Sequence, residues 1–360
     1  MLRTPRFIFR TDSSTSIGYG HVMRCMTLAD ALTTAGCQCS FISRGEDGNI
    51  NSHVEERGYE ITVLPITLPE GEFNDGAEAA IVAGLVSKAG ADWLVVDHYQ
   101  IESNWESQVR GASNLRLLVI DDIADRKHNC DVLLDQNYGR EKSHYRGLLP
   151  NNSATLVGLP YALLRPEFPR FRRESLSRQK QGKLNHLLIT MGGTDELNMT
   201  AQVLNSLATC KDIEKLEVSV VLGQTSKWID SVNELSTRLP FAVNLHVGVR
   251  NMAELMSQVD FAIGACGSTT WERCCLGLPS LLFVLAKNQE RICNDLSADG
   301  IVVKGDMNFI DDSVSQFLCF IQNNENREKI VCKSSSLVDG AGVGRVTAVL
   351  LEGKSTGHED

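Results

Sequence analysis

The chain of 360 residues is long enough for two domains, and its 42% hydrophobic and 22% charged residues are typical of a globular protein in solution. The net charge of −10 argues against nucleic acid as a partner, because phosphate backbones recruit basic surfaces. We see no signal peptide and no membrane-spanning run, and the eleven cysteines include no Cys-x-x-Cys pair. We therefore expect a cytoplasmic protein with reduced cysteines, no membrane partner and no structural metal site.

A glycine-containing turn separates the first predicted strand from the first predicted helix. Residues 7–12 form an apolar run, and the apolar residues from Val22 to Leu32 recur at helical spacing. Gly18 and Gly20 would let the backbone between them turn tightly and approach a ligand. His21 begins the helix, where the positive end of the helix dipole favours a neutral imidazole, a candidate general base. The alternative is an ordinary turn in which His21 only bonds a backbone carbonyl.

Further along the first half, strands predicted at 93–97, 115–120 and 132–135 alternate with helices predicted at 77–88 and 103–110. Each of these strands ends in or runs into an aspartate, at Asp97, Asp122 and Asp135. Ligands of open parallel sheets bind at the carboxyl ends of strands. For Asp122 and Asp135 we favour a role in turns or caps. For Asp97, which Tyr99 follows closely, contact with a substrate and simple capping both remain open.

The composition changes over residues 161–184, which are rich in proline and basic side chains and resemble a linker or a solvated surface helix. We place the domain boundary there. The prediction is an N-terminal domain over 1–165, a second domain over 166–352 and a polar tail over 353–360. Strands and helices alternate in both halves, which predicts a parallel α/β sheet in each. In the second half, strands are predicted at 187–190, 216–222, 242–247, 261–263 and 280–284, and helices near 198, at 313–321 and at 343–351.

The segment 264–273 follows a predicted strand and opens a helix. Gly267, Ser268 and Thr269 would place N–H groups and hydroxyls at the helix N-terminus, an arrangement that suits a diphosphate. Glu272 lies one turn further on. Its carboxylate could accept hydrogen bonds from both ribose hydroxyls, or it could cap the helix together with Thr269.

The next predicted strand leads to Asn288 and Gln289, whose amides could hold a sugar or phosphate or merely cap the following helix. Glycosyl-transferring enzymes that bind a nucleotide diphosphate through a metal typically use closely spaced carboxylates. The chain contains no Asp-x-Asp pattern. We therefore expect a site that works without a metal or a cofactor.

Seven motifs carry a family resemblance when they are taken together and in order. They are 18–24 (GYGHVMR), 96–99 (VDHY), 121–126 (DDIADR), 134–138 (LDQNY), 161–168 (YALLRPEF), 192–195 (GGTD) and 267–279 (GSTTWERCCLGLP). This set resembles the UDP-2,4-diacetamido-2,4,6-trideoxy-β-L-altropyranose hydrolases of pseudaminic acid biosynthesis, the PseG family. The resemblance extends over nearly the whole chain.

The resemblance implies a GT-B-like fold, in which two Rossmann-like parallel-sheet domains face a cleft, similar to the glycosyltransferase MurG. It implies hydrolysis of the UDP-sugar to UDP and free 2,4-diacetamido-2,4,6-trideoxy-L-altrose, with inversion at the anomeric carbon. His21 would activate the water, Arg165 would bind substrate and Glu272 would hold the nucleotide. The backbone at Gly18 and Gly20 would then admit the sugar.

Two other functions remain open on the sequence. One is a GT-B glycosyltransferase that uses a UDP-sugar donor and an acceptor other than water. The other is a non-catalytic module that binds a UDP-sugar and would not need His21. In each case the partner is a small molecule, and we expect a monomer.

Overall fold

The computed structural model describes residues 3–65, 75–111 and 114–352. The chain divides into two compact units, one formed by Met1–Leu163 with Ala341–Asp360 and the other by Leu164–Gly340. The predicted polar tail over 353–360 lies outside the described residues.

Within its described residues, the first unit contains seven strands and four α-helices before the chain enters the second unit. They are β1 (Arg6–Thr11), α1 (Gly20–Thr34), β2 (Gln38–Arg44), α2 (Asn51–Glu56), β3 (Glu60–Leu64), α3 (Asp75–Ala89), β4 (Trp93–Asp97), α4 (Ser103–Arg110), β5 (Arg116–Ile120), β6 (Val132–Asp135) and β7 (Ala154–Val157). All strand pairs are parallel, in the order β3-β2-β1-β4-β5-β6-β7. The order reverses between β1 and β4, so the loops after these two strands leave the sheet side by side.

The second unit repeats this architecture with six parallel strands. Its elements are α5 (Glu167–Gln179), β8 (His186–Thr190), α6 (Met199–Ala208), β9 (Glu217–Leu222), α7 (Ile229–Ser236), β10 (Ala242–Val247), α8 (Met252–Ser257), β11 (Phe261–Ala265), α9 (Thr269–Leu276), β12 (Ser280–Phe283), α10 (Glu290–Ala298), β13 (Val303–Lys304), α11 (Ile310–Gln322) and α12 (Asn324–Leu337). The strand order is β10-β9-β8-β11-β12-β13. The reversal lies between β8 and β11. The two parallel α/β sheets predicted from the sequence are confirmed.

Strand β1 shows why both faces of the first sheet are covered. Phe7 and Phe9 point to the face on which α1 packs, and Ile8 points to the opposite face. This follows from the alternation of side chains along a strand, and both faces of a parallel sheet must be buried. Because the side chains on both faces are buried, the strands appear in the sequence as the long apolar runs from which they were predicted.

The last helix, α13 (Gly342–Glu352), belongs to the first unit, whereas the sequence led us to assign it to the second domain. Val346 and Leu350 are buried in the same core as Phe7 and Phe9. The apolar spacing of a helix predicts that it packs on a sheet but not on which sheet, so the position in the chain was the only guide. The chain crosses between the units after Leu163 and again after Gly340.

The segment with the composition of a linker forms α5, so the alternative of a surface helix holds for most of it. The elements α2, β7, β13 and α12 were not predicted, because none of them has a long apolar run. No helix within the described ranges is both long enough and apolar enough to cross a membrane.

Candidate active site

The loop between β1 and α1 is held by short-range hydrogen bonds. The Gly18 amide donates to the Ser14 carbonyl oxygen at 2.9 Å, and Gly18 has φ +79°, a conformation that glycine adopts without strain. The Ser14 hydroxyl accepts hydrogen bonds from the amides of Ser16 and Ile17. Gly20 is the first residue of α1. The loop therefore fixes where the first turn of α1 begins and where His21 points.

His21 and Asp97 form a buried pair. The end of β4 lies beside the end of β1, where Thr11 is opposite Asp97 in the register. The Nδ1 atom of His21 lies 2.6 Å from Oδ1 of Asp97, and the two residues are 7% and 1% exposed. A carboxylate can only accept, so Nδ1 must donate and Nε2 of the neutral ring keeps its lone pair. No described residue makes a hydrogen bond to Nε2, and the ring edge packs against Tyr99.

Arg24, one turn after His21, binds two carboxylates. It donates to both oxygens of Asp97 at 2.6 Å, and to those of Asp122 at 2.9 and 2.8 Å. Burial alone would raise the pKa of Asp97, but the Arg24 guanidinium and then His21 hold that pKa well below its ordinary value. Asp97 is therefore ionised whenever it orients His21. The prediction that Asp122 only serves a turn is wrong, since its carboxylate also accepts from the Tyr99 hydroxyl.

His98 lies in the same region but has no free lone pair. Its Nδ1 accepts from the Gln100 amide at 3.1 Å, and its Nε2 lies 3.2 Å from Oδ2 of Asp12. Asp12 is also paired with the fully buried Arg10 at 2.6 Å. Burial lowers the pKa of His98, and Asp12 only partly offsets this effect. Of the two histidines, His21 is the one that can accept a proton.

A cavity of about 240 Å³ opens in the first unit onto both histidines. Its lining includes Asp12, Ser16, His21, Glu46 and Tyr99. This volume is below the range of about 300–1,000 Å³ that is usual for drug-sized ligands, so the cavity suits a small group. The sequence analysis did not predict that Asp12 and Glu46 line this cavity. The available signal was that Asp12, like Asp97, is the last residue of a predicted strand.

In the second unit, β11 leads through Cys266 and Gly267 into α9, with Ser268 as the N-cap residue. The Thr270 amide donates to the Gly267 carbonyl oxygen at 2.9 Å. Within the described part of the chain, the amides of Gly267, Ser268 and Thr269 have no hydrogen-bond partner. Ser268 is exposed. The structure thus places the three predicted phosphate-binding residues together at a free helix N-terminus, where the dipole favours an anion.

Glu272 and Arg165, both predicted to bind substrate, lie together. Oε1 of Glu272 is 3.4 Å from Nη2 of Arg165. The backbone amides of Ser268 and Thr269 donate to no described residue, and the Ser268 side chain makes no cap bond. Glu272 therefore does not take the capping role that we left open. Burial raises the pKa of Glu272, and the nearby Arg165 opposes this rise.

Gln289 lies near this helix N-terminus, and Asn288 is exposed beside it in the short 3₁₀ turn Lys287–Gln289. The side-chain oxygen of Gln289 accepts from the Leu285 amide at 2.9 Å. Its Nε2 would lie 4.0 Å from a Cβ atom added at Gly267. Gln289 therefore closes its own loop and does not cap the following helix α10 with its side chain, as one of the two predictions had it. Its amide nitrogen stays close to the predicted phosphate-binding turn.

Among the described residues, no group of three or more histidine, cysteine, aspartate or glutamate side chains has an arrangement that could hold a metal ion. None of the eleven cysteines, all of which lie in the described ranges, forms a disulfide bond.

Sequence comparison links the chain to a UDP-sugar hydrolase. It is 25% identical over 299 residues to the UDP-2,4-diacetamido-2,4,6-trideoxy-β-L-altropyranose hydrolase of Campylobacter jejuni, a match that covers 83% of this chain and 98% of that protein. The chain is a distant homologue of this PseG enzyme. No model of a protein family matches the chain.

Two further relatives are known from sequence. An uncharacterized protein of Methanocaldococcus jannaschii is 27% identical over 290 residues, which cover 79% of this chain but only 56% of that protein. The spore coat polysaccharide biosynthesis protein SpsG of Bacillus subtilis is 23% identical over 345 residues, with 95% and 96% of the two chains covered.

Several solved structures have a similar fold. MurG of Acinetobacter baumannii superposes with a TM-score of 0.69 at 13% identity, over 97% of this chain and all of that chain. MnaA of S. aureus, solved with UDP, superposes with a TM-score of 0.64 at 9% identity, over 99% and 100% of the two chains. The fold is therefore GT-B-like, as predicted, with two Rossmann-like units.

Proposed function

We propose that the protein hydrolyses UDP-2,4-diacetamido-2,4,6-trideoxy-β-L-altropyranose to UDP and free 2,4-diacetamido-2,4,6-trideoxy-L-altrose, as a cytoplasmic, monomeric enzyme of pseudaminic acid biosynthesis. The observation that carries this proposal is the His21–Asp97 pair, which leaves Nε2 free beside a small cavity. The homologous hydrolase of C. jejuni supports the substrate class. The GT-B-like fold supports a sugar nucleotide as the ligand.

His21 acts as the general base in this proposal. Its Nε2 takes a proton from water while the water oxygen forms a bond to the anomeric carbon. The bond from that carbon to the diphosphate oxygen breaks, and UDP leaves with the electron pair. Asp97 stabilises the imidazolium that forms, because it stays ionised beside Arg24. One displacement without a covalent sugar–enzyme intermediate inverts the anomeric configuration.

The second unit holds the nucleotide in this proposal. The free amides of Gly267, Ser268 and Thr269 bind the diphosphate and stabilise the charge that develops on it as it leaves. Glu272 accepts hydrogen bonds from the ribose hydroxyls, and its contact with Arg165 fixes its orientation.

The remaining predicted contacts complete the proposed site. Gly18 and Gly20 let the loop before α1 approach the sugar, and Tyr99 lines the cavity beside His21. Asn288 and Gln289 border the phosphates. The mechanism uses neither a metal nor a cofactor, because amides and the helix dipole compensate the phosphate charge.

The test is to incubate the protein with this UDP-sugar in the absence of any acceptor, to follow UDP release and to assign the first-formed anomer by NMR. We expect UDP release with inversion, and we expect His21→Ala to lower kcat by about 10²-fold or more. His53→Ala, on α2 and partly exposed, is the matched control and should keep the wild-type rate. UDP release that persists in His21→Ala near the original rate would contradict the role of His21.

The same assay separates hydrolysis from glycosyl transfer. A glycosyltransferase of this fold would release UDP only when an acceptor is added. A module that only binds the UDP-sugar would release none, and its UDP affinity would not change in His21→Ala.

A further inference from the structure

Arg273 is a buried arginine whose side chain contacts both ends of the predicted phosphate-binding turn. It lies in the second turn of α9 and is 1% exposed. Side chains of a helix tilt towards its N-terminus, so the guanidinium reaches back along α9. Its Nη2 donates to the Ala265 carbonyl oxygen at 2.6 Å and to the Thr270 hydroxyl at 3.3 Å. These two partners stand immediately before and after the turn formed by residues 266–269.

Arg273 forms no ion pair with a carboxylate in the described part of the chain, although the neighbouring Glu272 acts on its charge electrostatically. Its Nε and Nη1 atoms are buried and make no hydrogen bond. Arg10 and Arg24, which are similarly buried, each contact two carboxylates. A buried charge without an ion pair is costly, so an anion bound nearby would be strongly favoured.

Gly264 on β11 makes room for this guanidinium. A Cβ atom at Gly264 would lie 2.7 Å from Nη1 of Arg273 and 2.5 Å from the Thr190 carbonyl oxygen. A glycine inside a strand often marks the close approach of another group. Here that group is the charged end of Arg273, held against the strand that leads into the turn.

We infer that Arg273 is a positioning residue for the nucleoside diphosphate, and that the bound diphosphate adds the negative charge that no ion pair of Arg273 supplies. This inference rests on the proposed function, because it takes UDP as the ligand of the α9 N-terminus. Arg273 acts in two ways. Its hydrogen bonds hold both ends of the turn whose amides meet the phosphates, and its charge adds to the helix dipole in a site of low dielectric.

Arg327 lies near the amino end of β8, in the same sheet, and offers a matched control. It is buried, donates to the Ile321 carbonyl oxygen and to Asn324, and leaves its Nε unpaired, so its chemistry resembles that of Arg273. Its Nη2 lies close to Gly182, just before β8 begins. The turn before α9 follows the carboxyl end of β11, which runs parallel to β8. Arg327 is therefore remote from the predicted phosphates.

The experiment measures the Kd for UDP by calorimetry, and the melting temperature, for the wild type and for Arg273→Gln, Arg273→Lys and Arg327→Gln. We expect Arg273→Gln to weaken UDP binding about tenfold or more, and Arg273→Lys to recover a substantial part of that loss because it restores the charge. Arg327→Gln should lower the melting temperature but leave the Kd within about twofold of the wild-type value.

A Kd for Arg273→Gln within about twofold of the wild type, or an equal weakening in Arg327→Gln, would overturn the role of Arg273. If Arg273→Gln does not fold, Arg273→Met decides by the same limits, because it fills the apolar volume without a charge. A wild type that does not bind UDP at all would overturn the proposed nucleotide site itself, and this inference with it. UDP binding that persists in the Arg273 variants overturns this inference alone.

Discussion

His21 and His98 line one cavity but differ in what their ring nitrogens contact. His98 has a partner on each nitrogen, at the Gln100 amide and at Asp12. His21 has Asp97 on Nδ1, so Nε2 alone is available to a reactant. The assignment of a general base therefore depends on the hydrogen bonds of each ring and not on the presence of a histidine in a cavity.

Asp97 couples the orientation of His21 to the stability of the fold. Asp97→Asn should lower the free energy of unfolding at pH 7 by about 3 kcal/mol, because Arg24 loses one of two buried carboxylates. The pKa of Asp97 is lowered from 3.8 in the folded protein. Its ionisation therefore contributes fully above that ordinary value, and the contribution is lost as the pH falls below about 4.

Urea unfolding at pH 7, 4 and 3 measures this effect. The wild type should lose more stability than Asp97→Asn between pH 4 and pH 3. Asp125→Asn, which alters an exposed surface ion pair, is the control and should change the stability by less than about 0.5 kcal/mol. Parallel pH dependences for the wild type and Asp97→Asn would show that the Asp97 ion pairs do not stabilise the protein.

At the scale of elements, the carboxyl ends of adjacent strands bring together residues that are far apart in the chain. Arg24 binds carboxylates 73 and 98 residues away, one on the last residue of β4 and the other on the loop after β5. The sequence predicted β4, β6, α4 and β10 at or near their observed limits, because their apolar runs or polar borders are sharp. It could not predict the Arg24 pairs, since they depend on the order of strands in the sheet.

In the candidate sites, too, local features could be predicted from the sequence but contacts between distant segments could not. Gly267, Ser268 and Thr269 could be located from the sequence, because a strand, a glycine turn and a helix follow one another locally. The contact between Arg165 and Glu272 joins segments 107 residues apart and became visible only in the structure. Arg273 was part of a recognised motif, but its burial without an ion pair has no signature in the sequence.

Strand β11 is sensitive to side-chain volume at one position. Gly264→Ala should lower the free energy of unfolding by about 1–3 kcal/mol, because the added Cβ would press on the Thr190 backbone and on Arg273. Gly84→Ala is the control. Gly84 is exposed on α3 with open space around it, so this change should stabilise the protein by about 0.5–1 kcal/mol. Urea unfolding measures both, and a Gly264→Ala variant as stable as the wild type would contradict the close packing at β11.

At the scale of the whole molecule, the second unit is continuous in sequence and the first is not. We expect residues 164–340, produced alone, to unfold in one cooperative transition, since the unit has its own buried core. Residues 1–163 alone should be less stable than the same residues joined to 341–352, because only the longer chain supplies Val346 and Leu350 to the core. Chemical unfolding followed by circular dichroism compares the three proteins. Equal stability of the two versions of the first unit would contradict this role of α13.

Gly342 and Ala162 are adjacent in space, since a Cβ atom at Gly342 would collide with the Ala162 backbone. The start of the last helix therefore packs directly against the backbone at Ala162, next to the point where the chain first leaves the first unit. During synthesis, residues 164–340 emerge from the ribosome before α13 does. The first unit is therefore completed only after the whole of the second unit has been synthesised. Part of the core of the unit that carries His21 therefore stays uncovered until the second unit has been synthesised.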